Sequence, residues 1–173
     1  MNKRKYIDVE IDKLTNSIEN RITGDVFDTA IVQLSAKGKR QIKKADWRFN
    51  WHIELLNENR QVYKLIINNN PLIIQGLISL EVKTDHIYMH LIESAFFNRG
   101  KNKVYWGVPG NLVAFACKIS FEQGFEGYVA FDAKTTLIQH YQETLYATHF
   151  HGTKMYIETL AALRLVEQYF NKK

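Results

Sequence analysis

The sequence predicts an α/β domain with a mixed sheet, in which an antiparallel strand meander is followed by a β-α-β-α unit. Residues 47–94 contain four segments rich in β-branched and aromatic residues, which are typical of strands. Residues 111–123 then have helical periodicity, and the short apolar segment 127–131 is typical of a buried strand. A helix that connects two strands of one sheet predicts that those strands are parallel.

The composition is that of a globular protein. The chain has 173 residues, of which 46% are hydrophobic and 13% aromatic, enough to bury a core. No apolar run approaches the roughly 18 residues that span a bilayer, and the basic start lacks the features of a signal peptide. We therefore expect a cytoplasmic protein with no membrane partner. The single cysteine, Cys117, lies in an apolar run and is expected to be a buried core residue rather than a nucleophile.

An amphipathic helix is predicted at the start of the chain, ending near Gly24. Apolar residues recur there at spacings of three and four, namely Ile7, Ile11, Leu14, Ile18 and Ile22. We expect residues 1–24 to pack as a helical segment on a single domain that covers residues 1–173. Residues 26–34 are then predicted to form a strand and residues 37–46 a short helix.

The meander consists of four predicted strands joined by short turns. The strands are expected within residues 47–56, 62–69, 72–82 and 86–94. The connections NENRQ, NNNP and KTDH are rich in turn-forming residues. Because strands joined by short connections are usually neighbours in a sheet, we expect these four to be antiparallel neighbours.

The second half of the sequence alternates helices with strands. The predicted helix 111–123 ends before Gly124, and glycine is common just past a helix end. A strand, a helix and a strand follow, expected at residues 127–131, 137–147 and 149–159. Residues 160–170 are expected to form a terminal helix or a helical hairpin.

The net charge of +5 is modest and does not define a partner. The densest basic run is Lys37, Lys39, Arg40, Lys43 and Lys44. Because no aromatic residues are interleaved with these charges, we interpret the run as a solvated helix face, with a nucleic-acid surface as the alternative. Of the six histidines, His86 with His90 and His149 with His151 would share strand faces, but no carboxylate or cysteine spacing supports a metal site.

A turn with two glycines, Gly107 and Gly110, stands before the predicted helix 111–123. The first N–H groups of a helix lack intrahelical partners and favour negative charge, and glycines let the backbone approach an anion closely. The sequence contains neither the Gly-Lys-Ser/Thr of a P-loop nor the Gly-x-Gly-x-x-Gly of a Rossmann turn. We therefore expect residues 107–112 to hold the pyrophosphate of a nucleotide-bearing cofactor. The alternative is a Pro-Gly turn that only starts a helix.

The order of turn, helix, strand and helix resembles the GNAT superfamily of N-acetyltransferases. The resemblance covers roughly residues 60–170 and is best within 104–147. Gly110 matches the superfamily pattern Gln/Arg-x-x-Gly-x-Gly/Ala, whereas Gly107 and Leu112 depart from it. The resemblance implies a GNAT-like acyl-CoA N-acyltransferase fold, acetyl-CoA as cosubstrate without a metal, and an amine acceptor.

The resemblance also implies which residues hold the cosubstrate. The pyrophosphate is expected to contact mainly backbone atoms, and the residues concerned are Gly107, Val108, Gly110, Asn111 and Leu112. Lys134 stands where the superfamily often has asparagine and is expected to contact the cofactor. The loop 94–106 is longer than usual in the superfamily. Its polar residues either line the entrance to the site or form an exposed loop, and they are Asn98, Arg99, Lys101 and Lys103.

Two residues are candidates for the chemistry of acetyl transfer. Tyr141 matches the superfamily tyrosine near the thioester sulfur and is the candidate acid for the departing thiolate. Glu93, a carboxylate in an apolar stretch, is the candidate base, with a solvated or salt-bridged glutamate as the alternative. The sequence thus predicts an N-acetyltransferase, with a non-catalytic binding or regulatory module of the same fold as the alternative. It leaves the acceptor and the oligomeric state open.

Overall fold

The computed structural model describes residues 5–170. None of the helices in this range is both long enough and apolar enough to span a membrane. The strands are β1 (Ile18–Asn20), β2 (Val26–Phe27), β3 (Thr29–Leu34), β4 (Gln61–Ile67), β5 (Gly76–Val82), β6 (Ile87–Ser94), β7 (Tyr105–Trp106), β8 (Val129–Asp132), β9 (Thr148–His151) and β10 (Lys154–Ile157). The α-helices are α1 (Trp51–Leu56), α2 (Val108–Glu122), α3 (Ile138–Leu145) and α4 (Thr159–Phe170).

The strands form two sheets. The large sheet has seven strands in the order β3-β4-β5-β6-β8-β10-β9, and the small sheet has the order β2-β1-β7. Strands β6 and β8 are parallel, whereas the other neighbours in the large sheet are antiparallel. Helix α2 connects the two parallel strands. The predicted mixed sheet, with a parallel pair at the crossover helix, is therefore confirmed.

Strand β6 has a bulge in its middle. Ser79 of β5 is opposite Leu91 and Leu80 is opposite Met89, so His90 is the extra residue. Among the described residues, β6 pairs with β8 only as far as Met89. The second half of β6 therefore diverges from β8, and a gap opens between the two strands near the start of α2.

The predicted amphipathic helix over residues 7–22 is wrong. Residues 5–17, here called the N-terminal segment, are irregular apart from a parallel bridge between Ile7 and Ala133, just past β8. Ile7 and Ile11 are buried, with 2% and 4% of their surface exposed, although neither residue lies on a helix. The segment instead lies along the gap between β6 and β8.

The first predicted strand of the meander, residues 47–56, is also wrong, because most of it forms helix α1. Trp51 and Glu54 are three residues apart and are both buried, which fits one face of a helix. The arginine Arg60 pairs with the buried Glu54 carboxylate. The fourth antiparallel strand of the sheet is β3, which pairs with β4.

The remaining predicted elements are present with shifted ends, except for three that are divided into two. The predicted strand 26–34 is divided into β2 and β3, and the predicted helix 37–46 consists of two short 3-10 helices whose basic side chains are exposed. Helix α2 starts at Val108, earlier than predicted. The predicted strand 149–159 is an antiparallel hairpin of β9 and β10.

The first turn of α2 packs closely against the sheet. A Cβ at Gly76 of β5 would lie 2.8 Å from Val108 Cγ1 and 2.9 Å from Leu112 Cδ1, so the glycine is needed for this contact. Val108 and Leu112 are fully buried in the larger apolar cluster, on the side of the sheet that carries α2, α3 and α4. A smaller cluster surrounds Trp51. This packing fixes the start of α2 beside the gap between β6 and β8.

Cys117 lies on α2 and is fully buried, as predicted. Burial raises the pKa of its thiol, and the thiolate is the form that reacts. We expect iodoacetamide at mildly alkaline pH to leave the native chain unmodified and to add one carbamidomethyl group after unfolding in urea, as measured by mass spectrometry. Rapid modification of the native chain would contradict the burial of α2 in the core.

Candidate active site

Helix α2 begins at the glycine turn that the sequence identifies. Gly107 has a φ of +91°, a left-handed conformation that favours glycine, and Val108 is the first helical residue. Pro109 follows in the first turn, where the helix needs no N–H donor. The first intrahelical bond runs from Asn111 N to the Gly107 carbonyl oxygen, at 3.0 Å. The predicted strand-to-helix turn is therefore present.

The space in front of both glycines is filled by the protein itself. A Cβ at Gly107 would overlap the hydroxyl of Thr15 in the N-terminal segment. A Cβ at Gly110 would overlap the hydroxyl of Tyr169 on α4. Both glycines are therefore required for close packing of the N-terminal segment and α4 against the turn.

The carboxylate of Asp12 stands at the start of α2. Its Oδ1 accepts the Gly107 N–H at 3.2 Å, and its Oδ2 accepts a bond from Lys103 Nζ at 2.9 Å. The Asp12 side chain is only 6% exposed. A helix amino terminus and a lysine are groups that bind phosphate oxygens. The donors of this site therefore fit an anionic ligand, while the space for one is taken by the chain's own carboxylate.

Tyr141 is fully buried on α3, as the sequence placed it on the predicted helix 137–147. Its hydroxyl donates a hydrogen bond to the Val9 carbonyl oxygen at 2.6 Å. Burial, followed by the carboxylates of Asp8 and Glu10, raises the pKa of Tyr141 well above its usual value. The hydroxyl is therefore protonated at physiological pH, which is the form that a proton donor requires.

Glu93 lies near the end of β6 and is 3% exposed. Its carboxylate accepts the backbone N–H groups of Arg48 at 2.8 Å and Phe49 at 3.2 Å. It also accepts the indole N–H of Trp51 at 2.9 Å, and the Arg99 guanidinium lies 3.7 Å away. Glu93 is thus a buried, paired carboxylate whose hydrogen bonds connect the start of α1 to strand β6 of the large sheet.

A cavity of about 190 Å³ lies beside Glu93. Its walls come from the end of β6, the loop at residues 98–103, the start of α2 and the N-terminal segment. The lining side chains include carboxylates as well as the guanidinium groups of Arg48 and Arg99. Ser94 also lines the cavity, and its buried Oγ has no hydrogen-bond partner among residues 5–170. The cavity is the space in which a small polar acceptor could meet Glu93.

The N-terminal segment separates the two candidate catalytic residues. Val9 lines the cavity beside Glu93, and its carbonyl oxygen is the atom that binds Tyr141. On the α3 side, the backbone N–H of Ile11 donates to Nε2 of His140 at 2.9 Å. The structure therefore brings Glu93, Tyr141 and the Gly107 turn around one stretch of chain that sequence reasoning placed in a helix.

The other predicted cofactor-binding residues occupy different surroundings. The side chains of Val108 and Leu112 are fully buried, so they offer a ligand only their backbone atoms. Asn111 is also buried, and its side-chain amide donates to a hydroxyl of β3 at 3.4 Å. Lys134 is exposed, and its backbone N–H donates to the carbonyl oxygen of Ile7 at 3.0 Å.

His86, just before β6, and His90, within β6, make local contacts. His86 Nδ1 lies 2.7 Å from an oxygen of Asp85, and His90 Nε2 lies 2.8 Å from an oxygen of Glu81. Burial lowers the pKa of His90. Within residues 5–170, no group of three or more His, Cys, Asp or Glu side chains is arranged to hold a metal ion.

Comparison with solved structures finds acetyltransferases similar to this chain. A protein from Bacillus anthracis str. Ames, assigned as a streptothricin acetyltransferase and solved in complex with acetyl coenzyme A, matches with a TM-score of 0.51 and 12% identity, over 76% of this chain and 98% of that chain. A mutant form of the spermidine/spermine N-acetyltransferase SpeG from Vibrio cholerae matches with a TM-score of 0.48 and 14% identity, over 79% of this chain and 98% of that chain. No family model and no curated protein matches the sequence.

The first of these matches shows that the chain has the GNAT acetyltransferase fold. The predicted resemblance is therefore confirmed at the level of the fold. The match covers nearly all of the acetyltransferase but only 76% of this chain, so roughly a quarter of the present chain lies outside it.

Proposed function

We propose that the chain is a single-domain, acetyl-CoA-dependent N-acetyltransferase that moves an acetyl group directly to a primary amine. One observation carries the proposal beyond the fold. Val9 contacts the Tyr141 hydroxyl and Asp12 contacts the Gly107 amide, and three residues of chain span at most about 10 Å. The proton donor and the anion-binding helix start therefore lie within reach of one extended ligand.

The start of α2 would bind the pyrophosphate of acetyl-CoA. The N–H groups of Gly107, Val108 and Gly110 precede the first intrahelical bond, which is made by Asn111. Lys103 adds a positive charge at the same position, where it now pairs with Asp12. Leu112 would support this turn by anchoring it in the core, and Lys134 would contribute at the α3 side of the cofactor.

Acetyl-CoA supplies an activated thioester, and the chain supplies proton transfers. The amine nitrogen bonds to the carbonyl carbon, the carbon–sulfur bond breaks, and Tyr141 gives its proton to the departing sulfur. The proton that the amine loses passes to Glu93. A carboxylate has about four acceptor positions, and three N–H groups occupy positions on Glu93, so one position remains for this proton.

The acetyltransferase proposal predicts both binding and turnover. Acetyl-CoA at millimolar concentration should raise the melting temperature and give a calorimetric signal, because only the native state binds it. With a panel of primary amines, release of free CoA should be detectable by a thiol reagent. Absence of both the thermal shift and the calorimetric signal would refute the proposal.

Replacing Tyr141 by phenylalanine should lower kcat by about 100-fold or more, because the departing thiolate loses its proton donor. The matched control is Tyr146→Phe, since Tyr146 caps the same helix and is 56% exposed. Steady-state CoA release measures both variants, and acetyl-CoA calorimetry checks that binding is retained. Equal kcat values for the two variants would remove Tyr141 from the mechanism.

The alternative function is a non-catalytic binding or regulatory module of the GNAT fold. The observation that favours it is the N-terminal segment, which fills the space around the Gly107 turn and the Tyr141 hydroxyl. Acetyl-CoA binding without CoA release across the whole amine panel would support the module over the enzyme.

A further inference from the structure

The N-terminal segment contacts both ends of the proposed acetyl-CoA site. Its carboxylate Asp12 binds the Gly107 N–H and Lys103, where the pyrophosphate would lie. Its carbonyl at Val9 accepts the proton of Tyr141 that the sulfur would take. We propose that residues 5–17 are an intrasteric strap that occupies the acetyl-CoA site, so that acetyl-CoA binds only when the strap is displaced. This inference rests on the proposed acetyltransferase function.

Asp12 imitates the charge of the ligand. Its side chain is nearly buried, and its two oxygens accept the Gly107 N–H and a bond from the Lys103 ammonium, as a phosphate would do. Oδ1 also accepts the N–H of Lys13, within the strap, at 2.7 Å. When the strap leaves, both donors lose an anion. A diphosphate that arrives in its place restores the same bonds, so the exchange leaves no buried donor unsatisfied.

The strap is attached in a way that permits exchange. It joins the large sheet through the single bridge between Ile7 and Ala133 rather than through a continuous ladder. Its other backbone attachments are separate bonds to side chains. Val9 O accepts a bond from the Tyr141 hydroxyl at 2.6 Å, Ile11 N donates to His140 Nε2 at 2.9 Å, and Thr15 N donates to the Tyr169 hydroxyl at 3.1 Å. Segments held by few regular hydrogen bonds open more easily than sheets and helices.

Hydrogen exchange tests the displacement directly. The amides of Ile7, Ile11 and Thr15 are bonded in the closed state, so saturating acetyl-CoA should speed exchange across residues 5–17 by at least several-fold. The readout is mass spectrometry of peptides from the full chain, with and without acetyl-CoA. It requires no turnover.

A charge variant tests the competition. Asp12→Asn weakens the strap through its loss of the Lys103 ion pair, so acetyl-CoA should bind several-fold more tightly than to the wild type. The matched control is Glu122→Gln, which removes the exposed pair of Glu122 with Lys118 at 3.9 Å, at the other end of α2, and should leave the affinity unchanged. Calorimetry gives the dissociation constants of all three proteins.

A disulfide supplies a second test that does not depend on the stability of the Asp12 variant. Cysteines introduced by Ile7→Cys and Ala133→Cys replace a bridged pair, whose separation in a sheet suits a disulfide. The buried Cys117 should not interfere. We expect the oxidised protein to lose acetyl-CoA binding and the reduced protein to regain it.

The outcomes separate the strap from the acetyltransferase proposal. Tight binding of acetyl-CoA by the oxidised disulfide variant, or by the wild type with unchanged exchange across residues 5–17, would overturn the strap and leave the proposed function standing. Absence of acetyl-CoA binding by the wild type would overturn the acetyltransferase proposal and, with it, the strap. Two results together would support both proposals. Acetyl-CoA would speed exchange across residues 5–17 of the wild type, and the disulfide variant would bind acetyl-CoA when reduced but not when oxidised.

Discussion

Gly107→Ala is expected to destabilise the protein by about 2–5 kcal/mol. A side chain at φ +91° costs about 1–2 kcal/mol. The added Cβ would also overlap the Thr15 hydroxyl and lie 2.8 Å from the Ser17 carbonyl oxygen, and relief of such overpacking costs about 1–3 kcal/mol more. For a domain of this size each kcal/mol lowers the melting temperature by roughly 2–4 °C.

The other end of α2 provides the matched control for Gly107→Ala. Gly124 has a φ of +82°, but a Cβ there would meet no atom within 4 Å. Gly124→Ala should therefore lower the free energy of unfolding by only about 1–2 kcal/mol, the cost of placing a side chain at a positive φ. Urea denaturation of both variants measures the difference, and equal losses would show that the N-terminal segment does not pack against the turn.

Removal of the Glu93 carboxylate should have an effect of similar size. Glu93→Ala leaves the N–H groups of Arg48, Phe49 and Trp51 without their acceptor, in a site where Glu93 itself is 3% exposed. A buried donor left without its acceptor costs about 1–3 kcal/mol, and three donors are affected, so we expect a loss of at least about 3 kcal/mol. Glu93→Gln should cost less, about 1–3 kcal/mol, because one oxygen remains while the amide nitrogen faces a donor.

The comparison of these variants with an exposed glutamate distinguishes a structural carboxylate from a purely catalytic one. Glu122→Gln, at the end of α2, is the control and should change the free energy of unfolding by less than about 0.5 kcal/mol. If Glu93→Gln were as stable as Glu122→Gln, the bonds to the start of α1 would contribute little, and any loss of CoA release would then belong to catalysis.

Local patterns predict much of this fold. Strands β4, β5 and β6 and helices α2, α3 and α4 lie where alternation and helical spacing indicate, because each has one face against the same core. The parallel pair follows from the crossover helix between β6 and β8. The start of α2 is predictable to within a few residues because a glycine and a proline stand there, and proline is common in the first turn of a helix.

The N-terminal segment shows where such patterns fail. Isoleucines at spacings of three and four suggest a helix, yet Ile7 and Ile11 also belong to a run in which apolar and acidic residues alternate up to Asp12. The period of two describes the structure better. The local sequence fits either period. The segment is extended because it packs into the gap between β6 and β8, which distant parts of the chain create.

The sequence shows where the candidate site residues lie along the chain, but not what surrounds them. Glycines at 107 and 110 mark positions where a Cβ must be absent, but the sequence cannot tell which group takes the space. Thr15 and Tyr169 take it in this structure. Similarly, the carboxylate of Glu93 is identifiable from its apolar stretch, whereas its three N–H partners depend on α1, which the sequence pattern assigned to a strand.

The Asp12 contact with the Gly107 turn has a consequence for how such a protein would respond to its environment, because a tethered competitor cannot be diluted. If the proposed strap covers the site, the apparent dissociation constant for acetyl-CoA would equal the intrinsic constant divided by the fraction of molecules that are open. Substitutions in residues 5–17 would therefore reset the acetyl-CoA level at which the protein becomes saturated, with the turn, Tyr141 and Glu93 left intact. Mutations in this segment would then change the acetyl-CoA concentration to which the protein responds without changing its kcat.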